Sequence, residues 1–542
     1  MTERPTGQTI GRTEWLLVAA FTVIASLCAS IWSWRNHAML NYGDAVAHLH
    51  IARRVIDAHE RGLSQLGSVW LPLPHLLMIP FVAVYSWWAN GLAGLIPSAL
   101  AYLASCLGLY RLVRNWLRPS ASIIALAFFA LNPNLLYLQT TAMTEPLFLC
   151  EMIWLSVWLV EWRAAVESDP PRANRLLGWI TLALVAAIFT RYDGWVLAFL
   201  AWTSVGIVQM RKSTLRSRRF WMMSAIVVVA PLIWFAYNAL IFGDWLDFAR
   251  GPYSAAAIEV RTTTGSGPPH PGWHTPWVSL LFFVKCAQMD AAPESWGRFL
   301  VVMSLLGTAW GWLTTRNKSF LWTLFLWFPV PFYAYSVSFG SVPIFLPVWW
   351  PHSWYNTRYG MELLPAFAVG IAFVARFAIG AARKFKPMLV RYAIAALLVI
   401  VVLNNWAVLR EHPLTYIEGT KNIASRRAFE EEIPPVLRSL IAKHPGAPVL
   451  METSVYPNLV AFTGIPLRQT INESDRGYFA SALENPAKYA AVVLAFEGDP
   501  VDNAVKGHPA GLRFVRSFTA PGQKPGAVYV SDTPPASGES SR

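Results

Sequence analysis

Long apolar runs recur through the first 410 residues of this 542-residue chain. About 20 such residues are needed to cross a bilayer as a helix. Within hydrocarbon every backbone N–H and C=O must be paired inside its own segment, so runs of this kind admit helices and little else. Composition agrees, with 55% of residues hydrophobic, 14% aromatic and 14% charged, against about a quarter charged in an ordinary soluble domain. A disordered chain and a cytosolic enzyme of ordinary type are therefore excluded. The formal charge of +13 is read as a topology signal, not as a soluble basic face for nucleic acid. Cys28, Cys106, Cys150 and Cys286 lie in or beside apolar segments, with no CxxC and no Cys/His spacing, so neither a disulfide framework nor a structural zinc is indicated.

Eleven spans are expected, near 15–34, 91–113, 120–137, 146–162, 177–190, 195–210, 220–242, 298–315, 320–339, 360–381 and 391–409. The run from Trp15 to Trp34 ends in no small-residue cleavage site and reads as an uncleaved first span. With the N-terminus inside, the inner loops hold nineteen Lys and Arg, among them Arg4, Arg12, Lys212, Arg216 and Arg316; the outer loops before residue 410 hold nine. The positive-inside rule selects that orientation, and an odd number of spans puts the residues after 409 on the outer face. There the composition changes. Strand-like runs at Pro448–Thr453, Ala490–Phe496, Leu512–Phe518 and Ala527–Val530 alternate with helical patterns such as Ile423–Ala442. The expected organisation is a polytopic α-helical membrane domain over 1–409, a small α/β extracytoplasmic domain over 410–530, and a disordered Ser/Pro/Gly-rich tail over 531–542.

The first outer loop is the most informative segment. Over residues 41–54, Ala45, Leu49 and Ala52 share one stripe at helical spacing, continued by Ile56. His50, Arg54, Asp57 and Arg61 line the other side, which suggests an amphipathic helix in the membrane interface. Asp44 and His48 are i, i+4 neighbours at its start. Asp44 reads either as a helix cap or as a carboxylate held at the water–lipid boundary beside cations able to hold a phosphate. His48 and His50 point apart, so that pair does not chelate a metal. Trp70-Leu-Pro-Leu-Pro-His75 then favours a broken helix at membrane depth, with His75 structural.

Further polar residues gather at the same outer rim. Glu145, in Thr144-Glu-Pro146, opens the fourth span, and an acid at a membrane edge is costly enough to suggest a function beyond capping. Arg191 and Asp193 sit in a tight Arg-Tyr-Asp-Gly turn, which an ion pair between them would close. Arg358 and Tyr359 open the tenth span. The preceding Trp349, Trp350, Trp354 and Tyr355 read as an interfacial belt or a platform for a sugar ring. Two acids, several arginines and aromatics thus converge on one membrane face.

In this order of elements the chain resembles the GT-C superfamily of membrane glycosyltransferases, with protein O-mannosyltransferases and bacterial lipid A aminoarabinose transferases as the nearest branches. The likeness rests on Tyr42-Gly-Asp44 in the first outer loop, the Pro-rich segment after it, and Met143-Thr-Glu145. Arg191-Tyr-Asp-Gly, Ile241-Phe-Gly-Asp-Trp, Arg358-Tyr359 and a soluble C-terminal domain complete it. The first loop has Asp-Ala where protein O-mannosyltransferases have Asp-Glu. Trp349-Trp350 is followed by Pro351, so the Trp-Trp-Asp motif of oligosaccharyltransferases is missing.

The resemblance implies inverting, single-displacement transfer of a sugar from a polyprenyl-phosphate donor to a lipid, glycan or protein acceptor on the outer face of a bacterial inner membrane. In that scheme Asp44 takes the acceptor's proton, and Glu145 orients the acceptor or a cation. His48, His50, Arg54, Arg191, Asp193, Arg358 and Tyr359 bind the donor and its phosphate. No cofactor is required; Asp44 and Glu145 are able to share a divalent metal, but nothing in the spacing demands one. The rival reading is a transporter or flippase of lipid-linked intermediates, which would carry charges deep within its spans. No GxxxxGK[ST], HExxH or GxSxG is present to support a nucleotidase, zinc peptidase or serine hydrolase.

Overall fold

A computed structural model describes residues 10–211, 217–262, 268–315 and 318–533. Arg4, Lys212, Arg216 and Arg316 of the topology count lie outside the described residues, as does the Ser/Pro/Gly-rich tail from residue 534 on. The chain folds as two compact units. The first comprises Met1–Asn36, Ser68–Pro74 and Pro97–Glu418; the second comprises His37–Gly67, His75–Ile96 and Gly419–Arg542.

The protein is a multi-pass α-helical membrane protein. Among the described residues eight helices are long and apolar enough to span: Arg12–Arg35, Leu92–Arg114, Pro170–Thr190, Asp193–Arg211, Arg218–Phe242, Lys318–Phe339, Thr357–Phe385 and Leu389–Ala424. The other three expected spans are helical but are not among these eight. The 120–137 run breaks into Pro119–Ala130 and Pro133–Leu138, because the Asn132 side chain accepts from the backbone N–H groups of Asn134 (3.0 Å) and Leu135 (3.2 Å) and Pro133 follows it. The 146–162 run is the continuous helix Glu145–Ala165, which carries buried Glu151 and Glu161. The 298–315 run is the helix Gly297–Thr315.

Polarity in the first unit is turned inside out, as a lipid solvent requires. On the Arg12–Arg35 helix Leu16, Leu17, Ile24 and Leu27 are exposed, while Thr22, Ser26 and Ser33 are buried. Ser26 donates to the Gln139 side-chain oxygen (3.0 Å), and Thr140 donates to Ser33 (2.9 Å), so hydroxyls join these helices where apolar contact gives no preference over lipid. Close approach uses glycine: a Cβ on Gly307 would strike the Gly370 carbonyl, and one on Gly370 the Ser304 carbonyl. At the loops expected to lie inside, Glu161 takes Arg111 through two bonds (2.7 and 2.8 Å), and Glu14 takes Arg114 (2.7 Å).

The second unit is built on a five-stranded sheet in the order β2-β1-β3-β5-β4. Its strands are β1 (Val449–Met451), β2 (Thr470–Ile471), β3 (Val492–Phe496), β4 (Leu512–Phe518) and β5 (Gly526–Ser531). β1 runs parallel to β2 and β3, and β5 is antiparallel to β3 and β4. β1 and β3 are buried along their whole length, which is why both read as unbroken apolar runs. Leu450, Ile471, Phe479, Val493 and Val501 form part of the core on this sheet. The two residues of β2 are too few to give any periodic signal.

Candidate functional site

Two polar clusters hold the residues singled out by sequence, one in each unit. In the first unit the Thr144-Glu145-Pro146 sequence starts a helix, so Glu145 stands at its first turn, 1% exposed. Arg191 and Asp193 occupy the turn between the Pro170–Thr190 and Asp193–Arg211 helices. Arg358 and Tyr359 lie on a 3-10 turn, Thr357–Leu363, that leads into the Leu364–Phe385 helix. That turn is capped from outside: Glu418 accepts from the backbone N–H of Asn356 (2.8 Å) and Thr357 (2.9 Å) and from the Thr357 hydroxyl (2.7 Å).

These elements bring Glu145, Arg191, Asp193, Arg358 and Tyr359 together. Arg358 donates through Nε to Glu145 (3.0 Å) and through Nη1 to Glu418 (2.8 Å). Arg191 donates to Glu145 (3.2 Å), Thr144 (3.1 Å), Asp193 (3.0 Å) and the Tyr333 hydroxyl (2.9 Å), and lies 3.4 Å from Glu362. Tyr333 in turn donates to Glu362 (2.6 Å). Both guanidiniums sit over the Tyr359 ring, at 5.1 and 5.2 Å from its centroid. Four carboxylates thus surround two guanidiniums, Arg358 buried and Arg191 partly so. The expected Arg191–Asp193 pair is one edge of this network.

Sequence reading missed Tyr333, Glu362 and Glu418. Glu362 carried a usable signal, since an acid at the start of an apolar span is costly and stands one helical turn from Arg358. Nothing in their surroundings marks Tyr333 or Glu418.

In the second unit the expected interfacial helix is shorter and buried. It runs Gly43–Arg54, with Ala45, Leu49 and Ala52 buried on one side and His48, His50 and Arg53 on others. Asp57 and Arg61 lie beyond its end. Asp57 instead takes Arg53 (2.7 Å) and Arg468 (2.9 Å) and anchors the backbone N–H of Leu467 (3.3 Å). The amphipathic pattern therefore reports packing inside this unit, not one face open to lipid headgroups.

Asp44 is not the N-cap residue of this helix. Tyr42 is the N-cap residue, no side-chain cap bond is made there, and Asp44 lies within the first turn, half-buried. A carboxylate at that position complements the positive end of the helix dipole. One turn on, His48 Nδ1 and His75 Nε2 are hydrogen-bonded at 2.8 Å, so His75, expected to be structural, is joined to the Asp44 helix.

His50 is 4% exposed, and neither ring nitrogen has a hydrogen-bond partner among the described residues. Burial, and then the charge of Arg54, draw its pKa down to about 3. At neutral pH it is a neutral imidazole and offers a donor and an acceptor, not a positive charge. Arg54 donates to the Gln65 carbonyl (3.0 Å), and its charge acts on Glu473 and Asp475. Among the described residues no group of three or more His, Cys, Asp or Glu is arranged to hold a metal ion.

This architecture is that of the GT-C membrane glycosyltransferases. ArnT from Cupriavidus metallidurans bound to undecaprenyl phosphate matches with a TM-score of 0.58 at 12% identity, covering 96% of this chain and 98% of that one. The oligosaccharyltransferase of Archaeoglobus fulgidus in its apo form matches with a TM-score of 0.50 at 10% identity, over 90% of this chain and 70% of that one. In sequence, the undecaprenyl phosphate-alpha-4-amino-4-deoxy-L-arabinose arabinosyl transferase 2 of Proteus mirabilis is 22% identical over an alignment of 438 positions that covers 73% of this chain and 70% of the relative. No family model matches the chain. Fold and sequence thus agree in a likeness to membrane glycosyltransferases of the GT-C type.

Proposed function

We propose that the protein transfers a sugar from a polyprenyl-phosphate donor to a lipid, glycan or protein acceptor. The transfer takes place on the outer face of a bacterial inner membrane, with the N-terminus inside and the sheet-bearing unit outside. The carrying observation is the sequence relation to a transferase named for an undecaprenyl-phosphate sugar, which extends over 438 aligned positions and not over a single motif. The excess of Lys and Arg in the alternate loops supports the orientation.

In this reading Asp44 accepts the proton of the acceptor hydroxyl as that oxygen attacks the anomeric carbon, and the polyprenyl phosphate leaves with the bonding electrons. The position of Asp44 in a first helical turn, with Tyr42 as the cap residue, supports a task other than capping. His48, His50 and Arg54 lie further along the same helix as donor-binding residues, His50 through hydrogen bonds. Arg191 and Arg358 are already met by four carboxylates, so they serve the reaction chiefly by fixing Glu145, with Asp193 and Tyr359 fixing them.

The test is an assay with full-length protein in nanodiscs and a panel of radiolabelled polyprenyl-phosphate sugars, scoring polyprenyl-phosphate release and transfer to membrane extract. One donor supporting turnover establishes the transferase. If every donor is inert while labelled lipid is moved between leaflets, the transporter reading replaces it.

A further inference from the structure

The turn that presents Asp44 is held by residues far away in sequence but within the same unit. Gly43 donates its backbone N–H to the Asn422 side-chain oxygen at 2.9 Å. A Cβ on Gly43 would lie 3.1 Å from that oxygen, so the bond is formed at the closest approach a side chain here would tolerate. Four residues after Asn422, Arg426 donates through Nη2 to the carbonyls of Asn41 (3.1 Å) and Leu40 (3.4 Å) and through Nη1 to Glu430 (3.0 Å). Asn458 donates to that same Glu430 oxygen at 3.1 Å.

Arg426 is 7% exposed, and its Nε has no hydrogen-bond partner among the described residues. A guanidinium buried to that extent, short of one acceptor, is costly unless carboxylates offset it. Burial lowers its pKa, and the charges that oppose this are Glu430 first and Asp44 second. Asp44 is thus one of the charges that offset the buried guanidinium, which also grips the two carbonyls that precede the Asp44 helix. Gly91, at φ 88°, adds a third restraint: any side chain there would collide with Met39 and Leu40.

We infer that Arg426 and Asn422 are positioning residues for the Asp44 carboxylate. Arg426 holds the Leu40–Asn41 carbonyls that lead into the Asp44 helix, and Asn422 fixes the backbone of Gly43. This rests on the proposal that Asp44 is the general base, and it makes the C-terminal segment part of the reactive machinery in place of a cover.

Full-length Asp44→Asn, Arg426→Met, Arg426→Lys and Asn422→Ala in nanodiscs would be compared for kcat and donor KM, with gel filtration and thermal melting as folding controls. Because a displacement of about 1 Å costs on the order of 10²-fold in rate, Arg426→Met is expected to lose about 10–100-fold in kcat with donor KM nearly unchanged. Asn422→Ala should lose less, and Arg426→Lys should recover part of the loss by restoring the charge. Loss of kcat in Arg426→Met with no recovery in Arg426→Lys, tracking a lower melting temperature, would mean a structural role only and overturn the inference. So would Arg426→Met turning over within twofold of wild type while Asp44→Asn is dead, leaving the base assignment standing. Wild-type turnover in Asp44→Asn would overturn the base assignment and, with it, this inference.

Discussion

Arg358→Met tests the buried network most sharply. Arg358 has a side chain 7% exposed between Glu145 (1%) and Glu418 (5%), at 3.0 and 2.8 Å. Methionine fills much of the same volume but removes the guanidinium that two buried carboxylates share. Glu418 keeps its bonds from Asn356 and Thr357, and Glu145 keeps Arg191, so the penalty falls mainly on uncompensated charge. Removing one partner of a buried ion pair costs about 3–5 kcal/mol. A 1 kcal/mol loss lowers the midpoint of a 150–250-residue domain by about 2–4 °C, and a larger unit by less, so a fall of at least about 5 °C is expected.

The 27 tryptophans make intrinsic fluorescence in nanodiscs a suitable probe at one fixed scan rate. In a double-mutant cycle, Glu145→Gln should rescue part of the Arg358→Met loss, with a coupling of about 1–3 kcal/mol. A midpoint for Arg358→Met within 1 °C of wild type, or a strictly additive double mutant, would refute the argument that these charges are buried and mutually dependent.

Tyr333→Phe removes the hydroxyl that accepts from Arg191 (2.9 Å) and donates to Glu362 (2.6 Å). It should cost about 1.5–3 kcal/mol in the same melt, and a neutral result would remove Tyr333 from the network. Gly370→Ala should destabilise by more than about 1 kcal/mol through overpacking against Ser304, whereas Gly380→Ala, with open space around it, should change little; equal effects would contradict the close helix approach. Asp475 is fully buried, and its pKa is raised by burial from 3.8 to about 6. Between about pH 4 and 6 the folded state then holds the proton more tightly than the unfolded one, so stability falls as pH rises and the penalty is complete above about pH 6. Asp475→Asn should accordingly be more stable than wild type at pH 7.5, by up to about 3 kcal/mol, and equal to it at pH 4. A variant destabilised at pH 7.5 would reverse that sign.

The membrane helices were legible in sequence because hydrophobic length responds to the bilayer, a solvent with a fixed thickness. The turn at Asn132-Pro133 was hidden, since the apolar run continues across it and only the cap geometry breaks the helix. The Asp44 helix was visible by its period, yet its polar side turned out buried, because periodicity records two unlike faces without saying what covers the second. Glu145, Arg191, Asp193, Arg358 and Tyr359 were legible as costly polar groups at apolar boundaries. Glu418, Asn422 and Arg426 were not, because they lie in mixed sequence where charge is ordinary; only folding brings Glu418 to Arg358, and Asn422 and Arg426 to the Asp44 turn.

The central claim is that Asp44 is the base of a polyprenyl-phosphate-dependent sugar transfer, and single-turnover transfer by Asp44→Asn in nanodiscs tests it most directly. With donor binding and folding retained, the account predicts a fall of about 10²–10⁴-fold in the rate of polyprenyl-phosphate release. A rate equal to that of wild type would contradict it.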